Sequence, residues 1–208
     1  MKIETFVLGP IENNTYLLTD LGNSVCALVD PAAPGREILK RIIDSHLDLT
    51  HILITHAHFD HVGGVSWFRR NLNTQPKVVL HRDDLALWRQ GGGASDFGFE
   101  FDSGSEPEML IETEQTISIG KMELEILHTP GHTPGHVTFY SSELSSAFCG
   151  DLIFYHGVGR TDLQGSSEKN LFKSIKNKIF KLPQNTVLYP GHGPQTTVQE
   201  EMNNNPFI

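Results

Sequence analysis

The sequence predicts an α/β protein in which two β-sheets lie face to face and helices cover their outer surfaces. Two observations predict it. Short apolar runs of strand length fall into two groups along the chain, and each group is accompanied by segments whose apolar residues recur at helical spacing. Sheets and amphipathic helices must each bury an apolar face, and two stacked sheets with outer helices satisfy all of them at once. No Pro- or Ser-rich linker interrupts the pattern, so one domain spanning residues 1–208 is expected.

Residues 3–8, 14–20 and 25–30 read as strands, the last two joined as a hairpin through Gly22-Asn23. From Gly35 to Leu47 the residues Ile38, Leu39, Ile42, Ile43 and Leu47 fall on one helical face. A strand at 51–55, a helix near 63–72, a strand at 77–81 and a helix near 82–90 follow. The tract from Gly91 to Gln115 is rich in Gly, Ser and acidic residues and reads as a long loop. Its Phe97, Phe99 and Phe101 either pack the loop down or line a substrate mouth. Strand patterns resume at 116–119, 122–128, 136–141 and 146–149. A helix from Ser167 to Leu182 buries Leu171, Phe172, Ile175 and Ile179. A strand at 186–189 and a short helix from Thr197 finish the chain.

Composition narrows the function classes. A formal charge of −9 opposes a phosphate-backbone partner, so nucleic acid is not expected. No run approaches the roughly 20 apolar residues of a membrane span, and the N-terminus lacks a secretory pattern. Cys26 and Cys149 each sit in an apolar run and do not make a disulfide scaffold, so a reducing cytoplasm is the expected location.

The stretch Thr55-His56-Ala57-His58-Phe59-Asp60-His61 places four ligand-type side chains within six residues, directly after the apolar run Ile52-Leu53-Ile54. Imidazole and carboxylate together suit zinc, iron or manganese rather than calcium or magnesium. Three further segments share the same grammar, an apolar run, a turn and a ligand-type residue. They end at His132, Asp151 and His192. If the runs are strands, all four ligand groups lie beyond carboxyl ends, where open α/β folds place their sites. The seven candidates, His56, His58, Asp60, His61, His132, Asp151 and His192, are too many for one tetrahedral ion. They suit two divalent ions sharing a carboxylate.

Taken together, THAHFDH at 55–61, TPGHTPGH at 129–136, CGDLIF at 149–154 and YPGHG at 189–193 resemble the metallo-β-lactamase superfamily. The resemblance implies an αββα sandwich with the metals at one edge. It implies a first metal on His56, His58 and His132, a second on Asp60, His61 and His192, and Asp151 between them. Within the superfamily the chain is most similar to single-domain glyoxalase II-like hydrolases, which share Gly157-Val158-Gly159-Arg160-Thr161-Asp162, Pro190-Gly191-His192-Gly193-Pro194 and an Asn-Pro-Phe ending, here Asn205-Pro206-Phe207. β-Lactamases with a Cys ligand carry it where this chain has Asp151, and flavodiiron proteins carry Glu where it has His58. Two-domain glyoxalase II enzymes add a C-terminal helical domain with basic residues for glutathione, and this chain stops before it. Metal chemistry therefore carries over better than substrate identity.

The expected function is hydrolysis of a small-molecule thioester, of a hydroxyacyl-glutathione type, by a hydroxide bridging two metals. Bound water loses its proton near neutral pH, so no Ser or Cys nucleophile is required. Zinc is the first expectation, with iron or manganese as alternatives. Asp60 and Asp151 are the expected catalytic carboxylates, Asp60 also as a proton acceptor. Arg160 either meets the substrate or stiffens its loop through Asp162, and His156 either contacts substrate or serves its loop. His136 is a candidate for orienting a ligand. His46, His51, His81 and His128 read as surface or packing residues. A persulfide dioxygenase with a single iron is the rival reading, because such enzymes share the Gly-Arg-Thr-Asp segment. A lactone hydrolase and a non-enzymatic binding module are further alternatives.

Overall fold

A computed structural model describes residues 1–99, 101 and 104–208. The first sheet runs β1 (Lys2–Leu8), β2 (Asn13–Asp20), β3 (Val25–Val29), β4 (Asp48–Leu53), β5 (Lys77–His81) and β6 (Met109–Ile111), its strands adjacent in chain order. The pairs from β1 to β3 are antiparallel and those from β3 to β6 parallel. The second sheet begins with β7 (Gln115–Ile119), β8 (Met122–His128), β9 (Val137–Ser141) and β10 (Ser146–Gly150). A two-stranded ribbon, β11 (Ile153–Phe154) and β12 (Gly157–Val158), intervenes before β13 (Val187–Pro190) and β14 (Thr196–Thr197) complete the sheet on the far side of β10.

Alternation along the strands decides which residues go between the sheets. Tyr16 and Leu18 of β2 meet Ile126, Phe139 and Phe148 of the second sheet in the central core, while Leu17 points the other way. On that outer face Leu17, Leu28 and Ile52 receive Ile38 and Ile42 of α1 (Arg36–Asp44). α2 (Phe59–Val62) and α3 (Val65–Asn71) follow β4, and their Val62 and Phe68 join the same layer, as does Trp88 of α4 (Leu85–Arg89). On the outer face of the second sheet, Ala147 and Cys149 pack against Leu171 and Ile175 of α5 (Glu168–Asn177) and Val198 of α6 (Val198–Asn204). The result is the expected αββα layering. No helix among the described residues is long and apolar enough to cross a membrane.

Several boundaries differ from expectation. The helix expected near 63–72 forms as α3, and the unexpected short α2 precedes it. Gly63 and Gly64 between them run against the Pro31–Ala33 backbone, with Gly64 N donating to Pro31 O at 2.6 Å. The long helix from Ser167 ends at Asn177. Lys178 caps it with its amide on Ser174 O, Ile179–Lys181 close as a tight turn, and Leu182 precedes Pro183, which disfavours helix. The tract 91–115, part of which lies outside the described residues, is not all loop. It holds tight turns over Gly91–Phe97 and the edge strand β6.

The tight turns lock against the ligand-bearing loop. Gly92 has φ +64°, and a Cβ there would run into the Phe59 amide and the Ala57 carbonyl. Backbone cannot retreat as a side-chain tip can. Gly92→Ala should therefore destabilise by about 2–4 kcal/mol, combining left-handed strain with overpacking. Urea denaturation checks this, and a parental midpoint would show that the two loops are not in obligatory contact.

Candidate metal centre

Four carboxyl-terminal strand ends bring the seven ligand-type residues to one edge of the sandwich. Beyond β4 comes the turn carrying His56 and His58, with Asp60 and His61 in α2. Beyond β8 lies His132, beyond β10 Asp151, and beyond β13 His192. The start of β2 joins the sheets here. Asn14 N donates to Gly191 O at 2.7 Å, and the Tyr16 hydroxyl donates to Pro190 O at 2.5 Å.

The side chains form two neighbouring groups, linked by a third set of His56, His61 and Asp151. His56, His58 and His132 offer nitrogens within 4.8 Å of one another, and so do the ligand atoms of Asp60, His61 and His192. His58 Nδ1 is 2.9 Å from His132 Nε2. His192 Nε2 is 3.3 Å from Asp60 Oδ2. Asp151 stands between the groups. Its Oδ2 is 3.7 Å from both His132 Nε2 and His192 Nε2, and its Oδ1 is 3.3 Å from His61 Nε2.

Hydrogen bonds aim the imidazoles. Thr55 Oγ1 donates to Asp30 Oδ2 at 2.6 Å, so its oxygen is left to accept from His56 Nδ1 at 3.1 Å. The bare His56 Nε2 then faces the cluster, and it is a buried nitrogen with no hydrogen-bond partner. His61 Nδ1 donates to Asp30 Oδ2 at 2.9 Å, which turns His61 Nε2 toward Asp151. His132 Nδ1 donates to the Arg160 carbonyl at 2.9 Å, which frees His132 Nε2. Asp30 thus orients one imidazole of each group, the arrangement that fixes tautomers around metals. An orphaned buried nitrogen, three aimed imidazoles and a central carboxylate fit a dinuclear divalent site.

The charges agree. Burial, with the imidazoles of His132 and His61, pushes His58 down to about 3. Burial, then His61 and His132, holds His56 well below the ordinary imidazole range. Burial works to raise Asp151, but His61 and His132 outweigh it and keep the carboxyl far below its usual range. The first group therefore presents neutral nitrogens beside an ionised Asp151. Burial lowers His61 and His192, but Asp151 and Asp60 outweigh it and raise both, so these two imidazoles must give up a proton to bind a divalent cation.

Beneath the site, Asp84 ties two loops together. Its Oδ2 accepts from Ala57 N at 3.0 Å and from Thr133 Oγ1 at 2.7 Å, and its Oδ1 accepts from Gly135 N at 2.6 Å. Neither Asp30 nor Asp84 stands out in the sequence. Asp30 does follow an apolar run, as the ligands do, but Pro31 comes next rather than a glycine turn. Its φ of +48° is a tertiary fact.

The other expected residues divide. Arg160 lines the cleft over the cluster, with its guanidinium on Asp162 at 2.7 and 2.8 Å. His156 does not line that cleft. Its Nε2 pairs with Glu200 at 2.8 Å, and its ring stacks on Tyr155. His136 is buried behind His56, with Nδ1 3.0 Å from Thr129 Oγ1. His81 stacks on His128 with ring planes 7° apart, and ligand atoms of these two and of Asp83 lie within 4.8 Å of one another.

Comparison with known proteins places this geometry. Residues 8–192 match the metallo-beta-lactamase superfamily. A probable metallo-hydrolase, YqgX of Bacillus subtilis (strain 168), is 36% identical over all of this chain and 98% of its own length. The hydroxyacylglutathione hydrolase GloC of Haemophilus influenzae is 31% identical over all of this chain and 98% of its own. The crystal structure of TTHA1623 in a di-iron-bound form is 37% identical, with a TM-score of 0.87 over 99% of this chain and 100% of that one.

Proposed function

The chain belongs to the metallo-β-lactamase superfamily, and from that premise we propose that it is a metal-dependent hydrolase of small-molecule thioesters, with hydroxyacyl-glutathione the first substrate to test. The observation that carries the reading is the Asp151 carboxylate, within 3.7 Å of imidazoles from both groups. A single ion needs three or four ligands, and seven around a central carboxylate suit a pair. When bound, such a pair supplies an activated water and a Lewis acid for the carbonyl.

The protein's own residues do the rest. His56, His58 and His132 would hold one ion, Asp60, His61 and His192 the other, and Asp151 both. Asp60 lines the cleft beside Asp151 and His192, where its carboxylate is placed to take the proton that water loses. Phe97 and Leu163 border the same cleft as His58. The thiols take no part. Burial pushes Cys26 up to about 12 and Cys149 higher still, so neither is ionised at neutral pH. Arg160 is the one Lys or Arg lining the cleft among the described residues, and a substrate carboxylate would have to draw it from Asp162.

Metal analysis of the purified protein, with parallel assays of thiol release from thioesters and of oxygen uptake with a persulfide, tests the reading. Two ions per chain, chelator-sensitive thiol release and no oxygen uptake are expected. Thiol release that survives verified metal removal, or persulfide-dependent oxygen uptake exceeding thioester cleavage, would overturn it.

A further inference from the structure

The cleft over the metal cluster adjoins a second cavity of about 170 Å³. The two spaces share Ile11, Phe59 and Asp60 in their walls, which places the second cavity directly beside the cleft. The second cavity is apolar over most of its lining, with Leu8, Pro10, Ile11, Phe59, Phe99 and Phe101 around it. Its rim leaves large apolar side chains in water. Ile11 is 42% and Phe99 48% exposed, and Phe97 of the adjoining cleft is also 48% exposed. Both phenylalanine rings lie 5.6 Å from the Phe59 ring. Exposed apolar groups gathered beside a polar centre mark a binding surface rather than a packing defect.

We propose that this cavity seats an apolar or aromatic acyl arm of the substrate, of about six carbons. The inference rests on the thioester-hydrolase reading and extends it to acyl specificity. An apolar cavity of about 150 Å³ admits a benzene-sized group, which sets the scale. No Lys or Arg lines this cavity among the described residues, and the cation of the adjoining cleft is bound to Asp162, so the lining favours hydrocarbon over a charged arm. In the reaction the carbonyl carbon gains the water oxygen and loses the sulfur, and the thiolate takes up a proton. The acyl arm stays in the cavity throughout and leaves with the carboxylate product.

The test uses the metal-loaded protein and S-acyl-N-acetylcysteamines from acetyl to octanoyl. kcat/KM should rise about two- to fourfold per methylene, the upper figure being full burial of one CH₂, and level off near six carbons. Ile11→Asp and Phe99→Ala alter exposed side chains and leave the core intact. Each should lower the hexanoyl-to-acetyl ratio at least about fivefold. A flat or falling series, or a ratio unmoved by both variants, overturns the proposal. Calorimetric binding of S-hexyl- and S-ethyl-N-acetylcysteamine, thioethers that cannot be hydrolysed, separates the two readings. If no thioester is cleaved but the hexyl compound binds at least tenfold tighter, the cavity assignment stands and the hydrolase reading falls. Equal affinities remove the cavity assignment.

Discussion

Asp151→Ala should bring the metal content from two ions per chain to one or none and reduce thioester turnover by at least about a thousandfold. The carboxylate lies between the two groups, 3.7 Å from His132 and His192 and 3.3 Å from His61. On the proposed ligand set, removing it would take a ligand from both ions at once. It also leaves His61 with Asp60 and Asp30 as its carboxylate neighbours. Burial lowers the His61 imidazole, while Asp151, then Asp60 and Asp30, more than reverse this. A metal contributes several kcal/mol of transition-state stabilisation, and about 4 kcal/mol corresponds to a thousandfold. His192→Ala is the contrast, because it should mainly empty the site that Asp60 and His61 share. Elemental analysis and steady-state kinetics, with circular dichroism to confirm the fold, decide the matter. An Asp151→Ala protein that keeps two ions would show that the carboxylate does not bridge.

Asp84→Ala should cost about 3–5 kcal/mol of stability and loosen metal binding without touching a ligand. Its carboxylate accepts from two backbone amides and one hydroxyl, and alanine would leave Ala57 N, Gly135 N and Thr133 Oγ1 without their acceptor. Each unsatisfied buried donor costs about 1–3 kcal/mol. Burial raises the Asp84 carboxyl while the Thr133 and backbone donors lower it, so part of the cost is recovered when the buried carboxylate is removed. Ala57 lies between His56 and His58, and Thr133 follows His132, so the bond network holds the first group of imidazoles in register. Loss of these bonds should weaken metal affinity by roughly 10- to 100-fold. Urea denaturation of the metal-free protein isolates the stability effect, and competition with a chromophoric chelator measures affinity. Parental values in both would mean that the two loops hold their geometry independently.

The sequence by itself determined the layers and the ligand types. Period-two runs such as Met122–His128 and the helical face of Ile38 and Ile42 are local patterns, and each was legible because its own neighbours decide which side is buried. The candidate ligands were legible for a similar reason, since imidazoles and carboxylates at strand ends are chemically distinctive. Boundaries that depend on distant backbone were not. The break at Gly63-Gly64 comes from Pro31–Ala33, and β6 forms by pairing with β5 across the intervening loop. Only the tertiary structure decided how the ligands are aimed. Asp30 reaches His61 and Thr55 across 31 and 25 residues, Asp84 reaches Gly135 across 51, and the Arg160 carbonyl reaches His132 across 28. It likewise turned His156 toward Glu200 and left Phe97 and Phe99 exposed beside the cleft. Such partners are chosen by three-dimensional proximity, and a carboxylate that serves another residue's ring carries no local periodicity by which to recognise it.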